Sequence, residues 1–221
     1  MNMKPELIVM LTHNDVTVKN AFDIFEECKD TRAKLWGFKE VGLPVPEMKK
    51  LCSRMKECGK TTFLEIIAQT EEECLEFARL AIECEFDYLI GTTFSPKISE
   101  YARSQGLKYI PFVGDIDVEG NLHGTIQDVL DDTSNVLKYP VEGINLLAYR
   151  FEGDSDALID NFTATFDTPL YFSGSINSYE RLDKIKACNA MAFTIGGAFF
   201  EHKFGDSFAG QIETVIDYLE N

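Results

Sequence analysis

Eight short apolar runs recur along the chain, separated by segments with a different hydrophobic period. The runs are rich in β-branched and aromatic residues and are mostly continuous rather than alternating, which is typical of parallel strands covered on both faces. We therefore predict eight strands. They are Leu7–Thr12, Leu35–Val41, Thr62–Ala68, Asp87–Gly91, Lys108–Gly114, Ile144–Phe151, Pro169–Ser173 and Met191–Gly196.

Between these runs, apolar residues fall at steps of three and four, which predicts amphipathic helices with one buried face. Four such stripes are Val18, Ala21, Phe22, Phe25 and Cys28; Met48, Leu51, Cys52 and Met55; Cys74, Phe77, Ala78, Ala81 and Ile82; and Phe208, Ile212, Val215, Ile216 and Leu219. Thr70 followed by Glu73 predicts a capping box at the start of the third helix. Gly59 and Gly106 stand where helices are expected to end.

The regular alternation of strands and helices predicts the fold class. Eight βα units in 221 residues indicate an α/β protein, a single (β/α)8 TIM barrel domain spanning residues 1–221. An open doubly wound sheet is the alternative. It is disfavoured because Thr12-His13-Asn14-Asp15 follows the first strand, where such sheets carry a glycine-rich turn. A longer interval after strand five predicts an insertion, and its polar segment 115–124 is interpreted as a small hairpin or a lid.

Composition and charge limit the kinds of molecule that the protein is expected to bind. A net charge of -16 disfavours nucleic acid and anionic membranes, since both attract positive surfaces. No apolar stretch approaches the roughly 20 residues that span a bilayer, and the N-terminal run is too short for a secretory signal. We therefore expect a soluble, cytoplasmic protein, with a homo-oligomer as an open possibility. Backbone N–H groups could still bind a small anion.

Cysteine and histidine spacing argue against a metal centre. None of the six cysteines forms Cys-x-x-Cys or pairs with histidine at a zinc-like interval, so free buried thiols are expected. We predict neither a metal nor another cofactor; a divalent-metal site built from the scattered acids at the strand ends is the alternative.

Two glycine-bearing turns are the clearest functional signal. In a (β/α)8 barrel the active site lies at the carboxyl ends of the strands, and the last two loops commonly bind phosphate through backbone N–H groups. The seventh predicted strand ends in Phe172-Ser173-Gly174-Ser175-Ile176, and the eighth ends in Ile195-Gly196-Gly197-Ala198. Ser173, Gly174, Ser175, Gly196 and Gly197 are therefore predicted to bind a substrate phosphate. Glycines that merely end the strands are the alternative.

With these two loops and the βα rhythm of the whole chain, the sequence resembles the phosphate-binding (ribulose-phosphate-binding) barrel superfamily. The segment Phe86–Thr93 also resembles this superfamily, but more weakly. The superfamily includes sugar-phosphate epimerases, isomerases of histidine and tryptophan synthesis, decarboxylases and aldolases. The resemblance implies a small phosphorylated metabolite as the ligand.

The sequence also departs from individual members of that superfamily. It lacks the seventh-strand carboxylate of an N-acylmannosamine-phosphate epimerase, because Ser173 follows Phe172. The histidine and aspartate metal ligands of pentulose-phosphate 3-epimerases are not visible. The first strand offers Thr12 and His13 rather than the Asp or Cys base of the amino-sugar isomerases. The resemblance therefore carries over a phosphate site and no single reaction.

Charged residues near strand ends suggest the chemistry. Lys39 and Glu65 are charged residues in two neighbouring strands that otherwise look buried, so we expect them to pair inside the barrel. Their function would be that of a general base or of a Schiff-base amine, with its pKa tuned by the partner. A static ion pair is the alternative, as is Lys39 at a solvated rim. Asp115 is a second acid or base, or else part of a solvated turn. Arg150 could bind a substrate carboxylate or phosphate if it points inward in place of Tyr149, and His13 could shuttle protons or cap its loop.

Together these residues suggest an enzyme acting on a small phosphorylated sugar or a related metabolite. Lys39, Glu65 and Asp115 would carry an acid–base isomerisation or epimerisation next to a carbonyl group. Two alternatives remain open. One is a class I aldolase with a Schiff base at Lys39, and the other is a non-catalytic barrel that binds a phosphorylated metabolite.

Overall fold

A computed structural model of the chain describes residues 4–220. In chain order its strands are β1 (Glu6–Met10), β2 (Thr12–His13), β3 (Val16–Thr17), β4 (Leu35–Lys39), β5 (Thr61–Ile66), β6 (Tyr88–Gly91), β7 (Lys108–Ile110), β8 (Asp115–Ile116), β9 (Leu122–His123), β10 (Ile144–Leu146), β11 (Leu170–Phe172) and β12 (Ala192–Ile195). Its helices are α1 (Ala21–Cys28), α2 (Val45–Glu57), α3 (Glu71–Glu83), α4 (Pro96–Ser104), α5 (Ile126–Val136), α6 (Ser155–Thr165), α7 (Tyr179–Ala187), α8 (Gly197–Phe200) and α9 (Phe208–Glu220).

Eight of the strands form one parallel sheet that closes on itself. The order of the strands is β10-β11-β12-β1-β4-β5-β6-β7. A parallel bridge between Phe112 and Asn145 joins the two ends, and the Asn145 N–H donates to the Pro111 carbonyl at 2.8 Å. The predicted (β/α)8 barrel is confirmed, and the open doubly wound sheet is wrong.

The two faces of the barrel strands serve two different cores. Side chains alternate along a strand, so every second residue faces the helices and the others face the interior of the barrel. The helix-facing core contains large buried side chains such as Trp36 and Phe38. The interior is filled by a smaller cluster that includes Met10, Phe63 and Ile90. Glu65 follows Phe63 by two residues and therefore lies on the interior face.

The helix boundaries follow the local signals in the sequence. Thr70 and Glu73 form the predicted capping box of α3. Gly59 and Gly106 adopt φ values of 72° and 73° just after α2 and α4, a left-handed conformation that glycine adopts without strain. No helix within residues 4–220 is long and apolar enough to cross a membrane.

Several predicted strands extend too far at their carboxyl ends. The run predicted as Ile144–Phe151 is a strand only to Leu146, after which Ala148–Arg150 form a 3₁₀ turn. Leu147 and Ala148 remain buried, which explains why the apolar run continues beyond the strand. Burial produces an apolar sequence whether or not the backbone is extended, so the pattern alone misplaces the end of the strand.

Two short antiparallel hairpins extend from the carboxyl end of the barrel. Strands β8 and β9 pair within the predicted insertion, which is therefore a hairpin. Strands β2 and β3 pair directly after β1 and form a hairpin that the sequence pattern does not predict. We call the first segment (115–123) the insertion hairpin and the second (12–17) the Asp15 hairpin.

Candidate active site

A polar pocket of about 230 Å³ opens at the carboxyl ends of the barrel strands. It is bounded by the Asp15 hairpin, by the ends of β4 and β5, by Arg150 and by the loops after β11 and β12. The sequence predicts an active site at this end of the barrel. The residues lining it are Met10, Thr12, His13, Asn14, Asp15, Lys39, Glu65, Arg150, Gly174, Ser175, Ile176, Asn177, Thr194, Ile195, Gly196, Gly197, Ala198 and Glu201.

The Asp15 hairpin carries a carboxylate into this pocket. Asn14 and Asp15 form its two-residue turn, with φ values of 50° and 58°. Positive φ at both central residues is the type I′ geometry, which Asn and Asp adopt more readily than most residues. The buried Thr17 hydroxyl accepts from the Lys39 N–H at 2.9 Å and donates to the Lys39 carbonyl at 2.8 Å. The hairpin is thus fixed to the end of β4.

Lys39 lies between two carboxylates. Its side chain is only 5% exposed, and Nζ lies 2.7 Å from Asp15 Oδ1 and 4.0 Å from Glu65 Oε2. Glu65 faces Lys39 because β4 and β5 pair with these two residues in register. A buried ammonium group requires such partners, since an unpaired charge in a barrel interior is costly.

The carboxylate of Glu65 is buried and accepts no hydrogen bond within residues 4–220. The contact with Lys39, at 4.0 Å, is its ion pair in that part of the chain. Glu65 also lines the pocket, so its oxygens can reach a bound molecule. A carboxylate with unused acceptor capacity facing a pocket is suited to accept a proton.

Asp15 is held in its charged form by two cations. Partial burial alone would raise its pKa, but the charge of Lys39 and the hydrogen bonds from Arg150 and Lys39 outweigh this effect and keep the pKa below its ordinary value. The side chain is 46% exposed, so it remains in contact with solvent.

Arg150 reaches the pocket from the 3₁₀ turn after β10. Its Nη2 donates to both carboxylate oxygens of Asp15, at 3.0 and 3.3 Å, and its Nη1 donates to the Glu119 carbonyl of the insertion hairpin at 3.0 Å. The guanidinium group also lies against Gly120 and Gly174. A Cβ atom at these positions would stand 2.8 Å from Nη1 and 2.6 Å from Nε. Arg150 therefore links the two hairpins across the mouth of the pocket.

The loop after β11 lines the pocket with Gly174, Ser175, Ile176 and Asn177. Gly174 and Ser175 have φ values of 78° and 56°, and their N–H groups donate to no other atom within residues 4–220. Arg181 of α7 donates to the Ser175 carbonyl and to Asn177 Oδ1, which orients the loop. Consecutive free N–H groups of this kind can bind an anion.

The loop after β12 offers a second set of N–H groups. Gly196 is required by packing, because a Cβ atom there would lie 2.6 Å from the Thr12 carbonyl oxygen. Gly197 has no such constraint, since its nearest neighbour would be His13 Cδ2 at 3.8 Å. Gly197 and Ala198 begin α8, where N–H groups have no partner within the helix. Together with Gly174, they surround one side of the pocket.

His13 and Glu201 border this second loop. The His13 ring stacks on Phe200 with 5.3 Å between ring centroids. The carboxylate of Glu201 pairs with Lys203 at 3.5 Å, which partly neutralises it. Both side chains line the pocket.

Most of the residues predicted to form the site meet in this pocket. Those brought together are His13, Lys39, Glu65, Arg150, Gly174, Ser175, Gly196 and Gly197. Arg150 enters it because the chain forms a 3₁₀ turn there, so the alternation expected of a strand does not decide between Tyr149 and Arg150. Tyr149 instead packs against Phe172 and under the Arg181 guanidinium group.

Two predicted residues lie elsewhere, which corrects their expected position. Asp115 is exposed at the start of the insertion hairpin and lines a different hollow with Thr93 and Asp132. Because β7 ends at Ile110, Asp115 is not at the end of a barrel strand. Ser173 is 1% exposed on the interior face of the barrel, and its hydroxyl has no hydrogen-bond partner within the described residues.

Asp15 is the main pocket residue missing from the predicted set. The Asn14-Asp15 pair is a turn signal. The pair follows directly after the apolar run of β1, and each strand of the hairpin has only two residues. The sequence alone therefore does not indicate a hairpin. Within residues 4–220, no cluster of three or more His, Cys, Asp or Glu side chains has a geometry that could hold a metal ion.

Comparison with known proteins gives matches at the level of structure. No family model and no curated protein sequence matches the chain. A structure described as native KDPGal matches with a TM-score of 0.72 and 11% identity, covering 100% of this chain and 97% of that one. Phosphoribosylanthranilate isomerase from Thermotoga maritima matches with a TM-score of 0.67 and 13% identity, covering 98% of both chains.

A third structure belongs to a regulatory protein. It is the glycerol uptake operon antiterminator regulatory protein from Listeria monocytogenes, which matches with a TM-score of 0.61 and 17% identity over 88% of this chain and 93% of that one. At identities this low, a match shows a similar fold and says nothing about activity. The matches confirm the predicted (β/α)8 barrel fold.

Proposed function

We propose that the protein is an enzyme that isomerises or epimerises a small phosphorylated carbonyl compound. The observation that carries the proposal is the buried Lys39–Glu65 pair. The Lys39 ammonium group and the Glu65 carboxylate, which accepts no hydrogen bond within residues 4–220, line the same pocket and lie 4.0 Å apart. The solved structures of similar fold include an isomerase of a phosphoribosyl compound, which is consistent with this class of reaction.

The proposed chemistry divides proton transfer and charge stabilisation between the two residues. The Glu65 carboxylate removes a proton from the carbon next to the substrate carbonyl, and the electron pair moves onto the carbonyl oxygen. The Lys39 ammonium group stabilises that oxyanion. Such electrostatic stabilisation is stronger in a site from which water is largely excluded. The carboxylic acid formed at Glu65 then gives its proton to the former carbonyl carbon. The hydroxyl proton on the neighbouring carbon moves to the oxyanion, so the former carbonyl becomes a hydroxyl group, the neighbouring carbon becomes the carbonyl, and Glu65 is again a carboxylate.

The proposed phosphate position lies at the loops after β11 and β12. The N–H groups of Gly174, Ser175, Gly197 and Ala198 would donate to phosphate oxygens. The absence of a packing reason for glycine at 197 supports this position, because the space beside its Cα stays open. His13 borders the same region and would contact the phosphate or the adjacent carbon atoms. Asp115 has no part in this proposal, because it lies outside the pocket.

Proton exchange with solvent tests the proposal without knowledge of the product. The protein would be incubated in D₂O with a panel of three- to six-carbon aldose and ketose phosphates and phosphorylated oxo acids. Deuterium incorporation next to the carbonyl would be followed by mass spectrometry. We expect incorporation with at least one compound and its loss in Glu65→Gln. Glu72→Gln, an exposed change on α3, should retain it. Exchange that is unchanged in Glu65→Gln would remove Glu65 as the base.

A class I aldolase is the second candidate, because Lys39 is a buried amine that lines the pocket. A Schiff base would form at Lys39 Nζ, which already contacts Asp15 at 2.7 Å and would have to give up this contact to attack a carbonyl carbon. This favours the acid–base enzyme over the aldolase. Borohydride reduction in the presence of the same panel would leave a covalent adduct at Lys39 only if the protein forms a Schiff base.

A non-catalytic phosphometabolite-binding barrel is a third candidate, supported by the similarity in fold to the Listeria regulatory protein. Such a protein would bind a panel compound without exchanging its protons. Ligand binding measured by thermal shift, combined with no deuterium incorporation in the wild type, would favour this function over the proposed one.

A further inference from the structure

We infer that the position of the Asp15 carboxylate, between Lys39 and Arg150, is the binding position for a carboxylate of the ligand. The ligand would therefore carry a carboxylate as well as a phosphate, as a phosphorylated sugar acid does. This inference rests on the proposed phosphate site and narrows the class of its substrate.

The contacts of Asp15 show that the position suits a carboxylate. One oxygen lies 2.7 Å from Lys39 Nζ, and both oxygens accept from Arg150 Nη2 at 3.0 and 3.3 Å. A guanidinium and an ammonium group are thus directed at one planar anion. A carboxylate is accommodated here although Glu65 lies 4.0 Å from the same Lys39 nitrogen.

The surroundings hold both cations in place without Asp15. Lys39 is buried on a barrel strand and keeps Glu65 as a partner. The Arg150 guanidinium group is confined between Gly120 and Gly174 and donates to the Glu119 carbonyl through its other terminal nitrogen. Preorganised donors of this kind lower the cost of ordering a site around a ligand.

Asp15 can leave the position without unfolding its hairpin. The side chain is 46% exposed, so its carboxylate can rotate into water. The hairpin itself is fixed by the backbone hydrogen bond from the Thr17 N–H to the Val41 carbonyl and by the Thr17–Lys39 contacts. A ligand carboxylate would therefore replace one side chain and leave the backbone in place.

The arrangement also explains why two cations face a pocket in an acidic protein. Before a ligand binds, Asp15 neutralises part of the charge of Lys39 and Arg150 and avoids their mutual repulsion. After a phosphate and a carboxylate bind, both cations still face an anion. A ligand with a phosphate alone would leave Asp15 in position and use only the loops after β11 and β12.

Matched pairs of ligands test this inference. Each pair shares a carbon chain and differs in one terminal group: 3-phosphoglycerate with glycerol 3-phosphate, 4-phosphoerythronate with erythritol 4-phosphate, and 6-phosphogluconate with sorbitol 6-phosphate. We expect at least one acid to bind the wild type more tightly than its alcohol partner by titration calorimetry. Arg150→Met should abolish that preference and leave the affinity for the alcohol phosphate largely unchanged.

Replacing Asp15 gives the opposite and more distinctive result. Asp15→Asn keeps a residue that adopts positive φ readily, so the turn should be retained. Because the internal competitor loses its charge, the acid should bind about fivefold more tightly, whereas the alcohol phosphate should not change. Asp30→Asn removes an equal charge at an exposed position just before β4, at the other end of the barrel, and should alter neither affinity.

The outcomes separate this inference from the proposed function. If acid and alcohol phosphates bind equally well, or if Asp15→Asn weakens the acid, the ligand carboxylate does not occupy this position and the phosphate site still stands. If no phosphorylated compound binds, the phosphate site fails and the inference fails with it.

Discussion

The ammonium group of Lys39 and the carboxylate of Asp15 lie 2.7 Å apart, although Lys39 belongs to a barrel strand and Asp15 to the turn of a hairpin. The contact exists because the Asp15 hairpin turns back over the end of β4 and is fixed there by Thr17. The geometry of the candidate site therefore depends on a hydroxyl group that does not line the pocket.

The first prediction concerns that hydroxyl group. Thr17→Val keeps the shape of the side chain but leaves the Lys39 N–H and carbonyl without their partner, so we expect the free energy of unfolding to fall by about 1–3 kcal/mol. Urea denaturation measures this loss. Thr163→Val removes a hydroxyl that donates only to carbonyls of its own helix and should cost less. Equal losses in the two variants would contradict the proposed role of Thr17.

The second prediction separates backbone strain from the position of Arg150. Gly174 and Gly59 both have positive φ, so alanine at either position should cost about 1–2 kcal/mol. At Gly174 the new Cβ atom would lie 2.6 Å from Arg150 Nε, whereas a Cβ atom at Gly59 would have no neighbouring atom of the described residues within 4 Å. Gly174→Ala should therefore destabilise the protein more and also weaken anion binding. Equal stability losses with anion binding retained in both would mean that Arg150 is not held against Gly174.

The third prediction is a pH dependence of stability at the insertion hairpin. His123 Nε2 lies 2.9 Å from Asp117 and Nδ1 lies 2.8 Å from Glu152, and hydrogen bonds to Asp117 and then Glu152 raise the pKa of His123 to about 9. A raised pKa means that the folded state binds the proton more tightly. The stabilisation is therefore complete below about pH 6.5, the ordinary pKa of histidine, and is lost as the pH rises through about 9.

His123→Gln tests this dependence. The difference in unfolding free energy between the wild type and the variant should shrink as the pH increases from 6.5 to 9, measured by urea denaturation at several pH values. His202→Asn serves as the control, since His202 is exposed and makes no ion pair within residues 4–220. A difference that stays constant or grows with pH would contradict a raised pKa for His123.

The fourth prediction separates stability from binding at Gly197. Alanine at the first position of α8 would contact nothing closer than 3.8 Å and is favoured over glycine in a helix, so Gly197→Ala should stabilise the protein by roughly 0.5 kcal/mol. The added methyl group borders the proposed phosphate position and should weaken glycerol phosphate binding severalfold. A stabilised variant with unchanged affinity would place the phosphate elsewhere.

The barrel could be predicted from sequence because each βα unit repeats the same physical requirement. A strand covered on both faces must be apolar throughout, and a helix on the surface of a barrel must be apolar on one side. The positions of Lys39 and Glu65 followed from the same reasoning, since a charge in a buried strand stands out against its neighbours. The register of β4 and β5 then brings these two residues together.

Contacts made by turns were beyond such reasoning. Asp15 reaches Lys39 through a hairpin with two residues in each strand, too short for a recognisable pattern. Arg150 lies on a 3₁₀ turn inside an apolar run that looked like a strand. Asp115 was placed at a strand end because the buried residues after Ile110, such as Phe112 and Val113, extend the apolar run. In each case burial continues beyond the point at which the backbone turns.

A phosphate titration followed by NMR of the backbone amides tests the central claim most directly. The account predicts saturable binding of inorganic phosphate or glycerol phosphate, with the largest shifts at the N–H groups of Gly174, Ser175, Gly197 and Ala198. The competing position for an anion is the hollow at the opposite end of the barrel, which is lined by Lys56, Lys60 and Lys108 but also by Glu85 and Asp87. Saturable shifts confined to that end, or no binding at the four N–H groups, would contradict the account.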